Sequence, residues 1–92
     1  MKVVIRQAAY EDLDRIYAWI AKDRPRSADA VLGRILESAQ RLGESPFIGH
    51  VGRAPGTYEW VIPRLPYILV YRILESESLV LIDAVFHGAR NR

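Results

Sequence analysis

The side chains best suited to chemistry lie in the C-terminal half of the chain. Glu59 and His87 can each accept or donate a proton, and Arg64 and Arg90 supply positive charge. Cleavage of RNA by its own 2′-hydroxyl needs a base, an acid for the leaving oxygen and cations that stabilise the crowded phosphorane. These four residues therefore define a candidate phosphodiester-cleaving site, if the fold brings them together.

Structural roles offer a more ordinary interpretation of the same region. Glu59 and Arg72 occur on neighbouring predicted strands, where they suit a cross-strand ion pair. His87 directly follows the last predicted strand, a position typical of a hydrogen-bonded strand end. We expect Asp83, which interrupts an apolar strand, to face solvent beside a sheet edge. The alternative for Asp83 is a pair with an arginine.

The sequence gives no sign of a metal site or a cofactor. There is no cysteine, and the two histidines, His50 and His87, do not form a short-spaced ligand pair. Neither a glycine-rich phosphate loop nor a serine or cysteine nucleophile motif occurs. We therefore predict no bound metal and no cofactor.

Length and composition predict one globular domain over residues 1–92. Half of the residues are hydrophobic, 26% are charged, and the net charge is only +2. Eleven of the thirteen basic residues are arginines, which suit carboxylate and phosphate recognition, although a coding bias explains the same excess. No signal peptide is evident, and no apolar run approaches the ~18 residues of a membrane span. We expect a soluble, cytoplasmic protein.

Hydrophobic periodicity predicts an α+β fold with the order β-α-α-β-β-β. A helical hairpin should pack on one face of a small, mainly antiparallel sheet. Gly43 is expected to cap the second helix, and an irregular loop should follow it. The predicted strands are 2–6, 58–62, 67–73 and 79–86, the predicted helices are 8–22 and 25–42, and the loop is 44–56.

The strand over 67–73 carries apolar residues on both of its faces. One set is Tyr67, Leu69, Tyr71 and Ile73, and the other is Ile68 and Val70. Such a strand should be covered on both sides. Two helices can cover one face only, so we expect an apolar surface that another chain covers.

Several motifs together resemble the RelE/ParE superfamily of toxins, over nearly the whole chain and in the same order. They are Asp12-Leu13 and Trp19-Ile20-Ala21 in the first helix, Leu42-Gly43-Glu44-Ser45-Pro46 after the second, Gly56-Thr57-Tyr58-Glu59, Leu65-Pro66-Tyr67, and His87-Gly88-Ala89-Arg90. The order β-α-α-β-β-β is also that of the family.

The resemblance implies the toxin of a type II toxin–antitoxin module. Its partner would be a ParD-like antitoxin with a ribbon-helix-helix region, through which the complex binds operator DNA. The antitoxin segment that wraps the toxin would fold on binding. We expect it to cover apolar residues of the helices and sheet: Ile16, Tyr17, Trp19, Ile20, Leu36, Tyr67, Leu69 and Tyr71.

Two activities divide the superfamily. RelE-like members cleave mRNA on the ribosome with clustered basic residues, whereas ParE-like members poison DNA gyrase. The apolar strand before Arg72 and the His-Gly-Ala-Arg ending resemble ParE more closely. The predicted target-binding residues are then Arg72, His87, Arg90 and Arg92. The alternative nuclease set is Glu59, Arg64, His87 and Arg90. A non-toxic member that acts only as a co-repressor with its antitoxin is a third possibility.

Overall fold

The computed structural model describes residues 1–89, which form two helices packed on a mixed five-stranded sheet. The strands are β1 (Lys2–Ile5), β2 (His50–Val51), β3 (Tyr58–Val61), β4 (Tyr67–Leu74) and β5 (Leu79–His87), and the helices are α1 (Gln7–Ala21) and α2 (Pro25–Glu44). Short 3₁₀ turns span Pro46–Ile48 and Glu75–Glu77. The predicted α+β class and element order are confirmed, apart from β2.

The strands lie in the order β1-β5-β4-β3-β2. β1 runs parallel to β5, and the other neighbouring pairs are antiparallel. β2 was missed because it has two exposed residues, between Gly49 and Gly52, and so has no detectable period. It lies at the edge of the sheet and pairs with the first two residues of β3.

The helices follow the predicted pattern except at the end of α2. Pro25 is the first residue of α2, where its missing N–H is not needed. Gly43 does not cap this helix, which continues to Glu44. A Cβ atom on Gly43 would lie 2.6 Å from the Met1 carbonyl oxygen and 2.8 Å from Val3 Cγ2, so glycine is needed for the close approach of β1. No helix within residues 1–89 has both the length and the apolar character to cross a membrane.

The main core lies between the helices and one face of the sheet. Its buried side chains are Ala9, Leu13, Ile35, Ala39, Leu42, Ile62, Tyr67, Leu69, Tyr71, Val80, Ile82 and Val85. Leu69 and Tyr71 are completely buried and Tyr67 is 7% exposed. The expectation that Leu69 and Tyr71 contact an antitoxin is therefore wrong, because this side of β4 faces the chain's own helices. Tyr67 retains only a small surface.

A β-bulge in β5 changes the alternation of its side chains. Val70 lies opposite Ala84 and Tyr71 lies opposite Ile82, so Asp83 is the extra residue of β5. Ile82 and Val85 are three residues apart, yet both are buried in the core. The bulge therefore shifts the pairing of β5 with β4 by one residue. The residues of β5 after Asp83 face the opposite side of the sheet from the one they would face if β5 were a regular strand.

Asp83 is paired, contrary to the solvent-facing role that we expected. β5 is an inner strand, and the Asp83 carboxylate accepts hydrogen bonds of 2.6 Å from Arg72 Nε and 3.0 Å from Arg72 Nη2. Arg6 approaches the same carboxylate at 3.5 Å. Asp83 thus joins β4, β5 and the residue after β1, which confirms the arginine alternative.

Candidate functional site

Glu59 is a buried carboxylate on the sheet face that points away from the helices. It is 3% exposed and lies opposite Val70. Its Oε2 accepts a hydrogen bond of 3.3 Å from the Arg53 N–H, and its Oε1 is 3.8 Å from His50 Nε2. The loop before β3 and the short strand β2 therefore position this side chain.

His87 lies at the end of β5, on the side of the sheet that carries α1. Its ring meets the Tyr67 ring edge-on, with 5.6 Å between centroids. Nδ1 accepts a hydrogen bond of 3.1 Å from the Ala89 N–H, so the neutral imidazole carries its proton on Nε2. His87 borders a groove of about 530 Å³ between α1 and β5. Among its lining residues are Asp12, Arg15, Ile16, Trp19 and Tyr67.

The predicted nuclease residues do not form one cluster. Glu59 pairs with Val70 and His87 pairs with Tyr67, so their positions differ by three residues along β4. Because side chains alternate between faces, Glu59 and His87 lie on opposite sides of the sheet, about 10 Å apart along the strand direction. Arg64 is exposed in the β3–β4 turn, with a positive φ of 64°. Arg90 lies outside the described residues.

The predicted target surface is also divided. Arg72 lies opposite Leu81 on the face away from the helices, whereas His87 lies on the helix side. Two hydrogen bonds hold the Arg72 guanidinium against Asp83, and this contact raises the pKa of Arg72. The predicted pairing of Arg72 with Glu59 is thus wrong, and Arg72 and His87 do not share a surface. Arg92 lies outside residues 1–89.

The predicted antitoxin contacts on the helices differ in accessibility. Trp19 is 58% exposed and Leu36 is 36% exposed, whereas Ile16, Tyr17 and Ile20 are half-buried. Tyr17 Oη donates a 2.6 Å hydrogen bond to Asp29, which raises the pKa of the Tyr17 phenol. Tyr17 thus joins α1 to α2 as well as bordering the surface.

A second groove, here called the α2–β3 groove, lies between α2 and the C-terminal half of β3. Its volume is about 1070 Å³, and its lining includes Arg34, Leu36, Arg41, Trp60, Ile62 and Arg64. Among these lining residues, only Leu36 was predicted to contact the antitoxin. The alternation of residues in β3 predicted that Trp60 and Ile62 share an apolar face of the strand. It did not predict that an open groove lies beside them. No group of three or more potential metal ligands occurs within residues 1–89.

Comparison with known proteins gives a consistent assignment. The family model for the ParE toxin of the type II toxin–antitoxin system parDE matches residues 3–92. Y4kP of Sinorhizobium fredii (strain NBRC 101917 / NGR234) is 39% identical over 72 residues, which cover 78% of this chain and 75% of Y4kP. Toxin RelE1 of Caulobacter vibrioides is 36% identical over 94 aligned positions, which cover 98% of this chain and 96% of RelE1.

The fold has a close counterpart among solved structures. A chain of the chromosomal ParDE system from P. aeruginosa matches with a TM-score of 0.84 at 21% identity, and the match covers 95% of each chain. At this identity the match supports the fold alone, and the family model and the two relatives supply the assignment. This chain belongs to the ParE toxin family of type II toxin–antitoxin systems, within the RelE/ParE superfamily.

Proposed function

We propose that the chain poisons DNA gyrase in the cytoplasm and that a ParD-like antitoxin neutralises it. The separation of Glu59 from His87 by the sheet carries this choice, since an acid and a base on opposite faces cannot serve one phosphate. A toxin that acts by binding needs no such pair. This observation favours a binding mechanism over phosphodiester cleavage.

The basic groups available to bind a target are separate from the partly buried Arg72–Asp83 ion pair. Arg72 is held by Asp83, so the exposed Arg64 and the half-buried His87 are the better candidates among the described residues. Both lie at the end of the sheet where β3 turns into β4 and β5 ends. Arg90 and Arg92 follow His87 in sequence and complete the proposed target surface.

The antitoxin is the proposed cover for exposed apolar groups on the helices. Trp19 and Leu36 are the most exposed of the predicted contacts. The proposed antitoxin has a ribbon-helix-helix region, through which the complex would bind operator DNA. Co-expression of the adjacent reading frame should restore growth if it encodes this antitoxin.

The test is expression of the toxin without its antitoxin, followed by two assays on the purified protein. We expect inhibition of gyrase supercoiling with accumulation of the gyrase–DNA cleavage complex, and no cut mRNA on translating ribosomes. An Arg64→Glu variant should weaken gyrase inhibition, and Arg26→Glu is its control because Arg26 lies at the far, N-terminal end of α2. Unchanged supercoiling at toxic concentrations would refute gyrase poisoning.

The alternative is ribosome-dependent mRNA cleavage, which the name of the 36% identical Toxin RelE1 supports. In that case cleavage should fall about 10²–10⁴-fold in His87→Ala, as expected for loss of a proton-transfer group. Glu59→Gln tests the second member of the pair. Normal growth on expression of the free toxin would instead support the non-toxic, co-repressor role.

A further inference from the structure

The outer edge of β3 is only partly covered. β2 pairs with Tyr58 and Glu59, and within residues 1–89 no strand continues along Trp60 and Val61. Two hydrogen bonds define the direction of the backbone groups. Ile62 N–H donates to Tyr67 O on β4, whereas Thr57 O accepts from Gly52 N–H on the other side. By alternation, the N–H and C=O of Val61 point outwards, away from β4.

Val61 therefore offers one donor and one acceptor at an open sheet edge. Its side chain is also 50% exposed. An unpaired edge is a template for an additional strand, because main-chain groups of an extended segment can complete the ladder. Pro63 follows two residues later and limits the available edge to a short stretch.

The open edge borders the α2–β3 groove, which provides an apolar surface beside it. Leu36 of α2 is exposed on one side, and Trp60 and the buried Ile62 lie on the other. The indole N–H of Trp60 is buried and has no hydrogen-bond partner among the described residues.

The charges around this groove favour an acidic occupant. Arg34, Arg41 and Arg64 line it against Glu37 and Glu44, so these side chains carry a net charge of +1. The Arg34 guanidinium donates a hydrogen bond to the Pro63 carbonyl. Of these three arginines, Arg41 and Arg64 are therefore the ones best able to pair with a ligand. Arginine forms its strongest contacts with carboxylates, through paired hydrogen bonds.

We propose that an extended, acidic segment of the antitoxin adds to the sheet at Val61 and places an apolar side chain between Leu36 and Trp60. This inference rests on the proposed function, because it assumes that the partner is an antitoxin. It specifies where that partner docks and the chemistry of the docking segment. The antitoxin would thereby protect the sheet edge that β2 leaves open.

Amide hydrogen exchange measured by NMR tests the strand addition. The Val61 amide should exchange rapidly in the free toxin and at least about 10-fold more slowly in the toxin–antitoxin complex. Glu59 is the internal control, because its backbone already pairs with His50. Unchanged Val61 exchange in the complex would overturn the proposal. Slow exchange that depends on the concentration of free toxin would also overturn it, since pairing between two copies would then occupy the edge.

A charge reversal tests the acidic character of the segment. Arg41→Glu should weaken antitoxin binding by about 10-fold or more, because the new carboxylate would repel the acidic segment that the arginine attracts. Arg26→Glu is the matched control, because it makes the same change on the exposed surface of α2 outside the groove. Urea unfolding of both variants verifies that they fold.

The outcomes separate this inference from the proposed function. If the wild-type toxin binds the antitoxin but Val61 stays unprotected, the docking site is wrong and the function stands. If Val61 is protected but Arg41→Glu binds normally, strand addition stands and the acidic requirement is refuted. If the wild-type toxin binds no antitoxin encoded beside it, the proposed function itself fails.

Discussion

Removal of the Tyr71 hydroxyl tests how the segment before β2 is held. Tyr71 Oη donates a 2.6 Å hydrogen bond to Pro46 O and accepts one of 3.1 Å from the Gly49 N–H. The side chain is completely buried, and its ring stacks on Tyr58 with 5.7 Å between centroids. Tyr71→Phe keeps the ring and its packing but removes both hydrogen bonds.

The expected loss follows from the groups that remain. Gly49 N–H and Pro46 O are both partly shielded from water, and each would lose its partner. A buried polar group left unsatisfied costs about 1–3 kcal/mol, so we expect the free energy of unfolding to fall by about 2 kcal/mol. For a domain of this size, the melting temperature should fall by roughly 8–16 °C.

The same hydroxyl makes stability depend on pH in alkali. Burial raises the pKa of Tyr71 above its ordinary value of 10.0, and the hydrogen bond from Gly49 opposes this only in part. The neutral phenol is therefore favoured in the folded state, and its stabilisation is complete below pH 10. This stabilisation is lost as the pH rises from 10 through the raised pKa. The free energy of unfolding should therefore fall more steeply above pH 10 in wild type than in Tyr71→Phe. The difference between the two slopes is the contribution of Tyr71.

Urea unfolding followed by tryptophan fluorescence, at neutral pH and above pH 10, provides the assay. Tyr10→Phe is the control, since Tyr10 is 49% exposed, and its stability should match that of wild type. A change of less than about 0.5 kcal/mol in Tyr71→Phe, within the range of ordinary surface substitutions, would refute the reasoning. Folded Tyr71→Phe should also bind the antitoxin normally, because Tyr71 offers no surface.

Three further predictions concern stability in urea. Gly43→Ala should destabilise the fold by about 1–3 kcal/mol through its clash with Met1, whereas Gly33→Ala should stabilise it by about 0.5–1 kcal/mol because its site in α2 is open; equal effects would contradict this account. Asp83→Asn should cost about 1 kcal/mol in low salt, and the loss should shrink in high salt. Asp12→Ala should cost about 1–2 kcal/mol because Asp12 accepts a 2.9 Å hydrogen bond from Val85 N–H. Asp12→Asn should recover part of that loss, and an Asn variant no better than Ala would indicate that the acceptor is unimportant.

Periodicity in the sequence was sufficient for the helices and the four longer strands. The apolar stripes of α1 and α2 define their buried sides, and Pro25 marks where α2 begins. Local pattern could not indicate which face of β4 meets the helices, because both of its faces are apolar. Burial of Leu69 and Tyr71 thus depends on tertiary packing.

The arrangement of the candidate site depended on features that alternation does not encode. The bulge at Asp83 determines the side on which His87 lies, and a local pattern of apolar and polar residues does not reveal it. Glu59 could be recognised as unusual from its position in β3, but its burial depends on the loop that brings Arg53 to it. The open edge beside Val61 results from the shortness of β2, which was itself missed.

The extra residue in β5 keeps the imidazole of His87 and the carboxylate of Glu59 on opposite surfaces. If the same residues of β5 formed a regular strand with the pairing at Val80 unchanged, Asp83 would lie opposite Val70 and His87 would turn towards the face that carries Glu59. Val85 would leave the core in the same change, because it would then lie opposite Ile68. The pairing of one strand, with no substitution, thus decides whether a histidine and a glutamate share a surface.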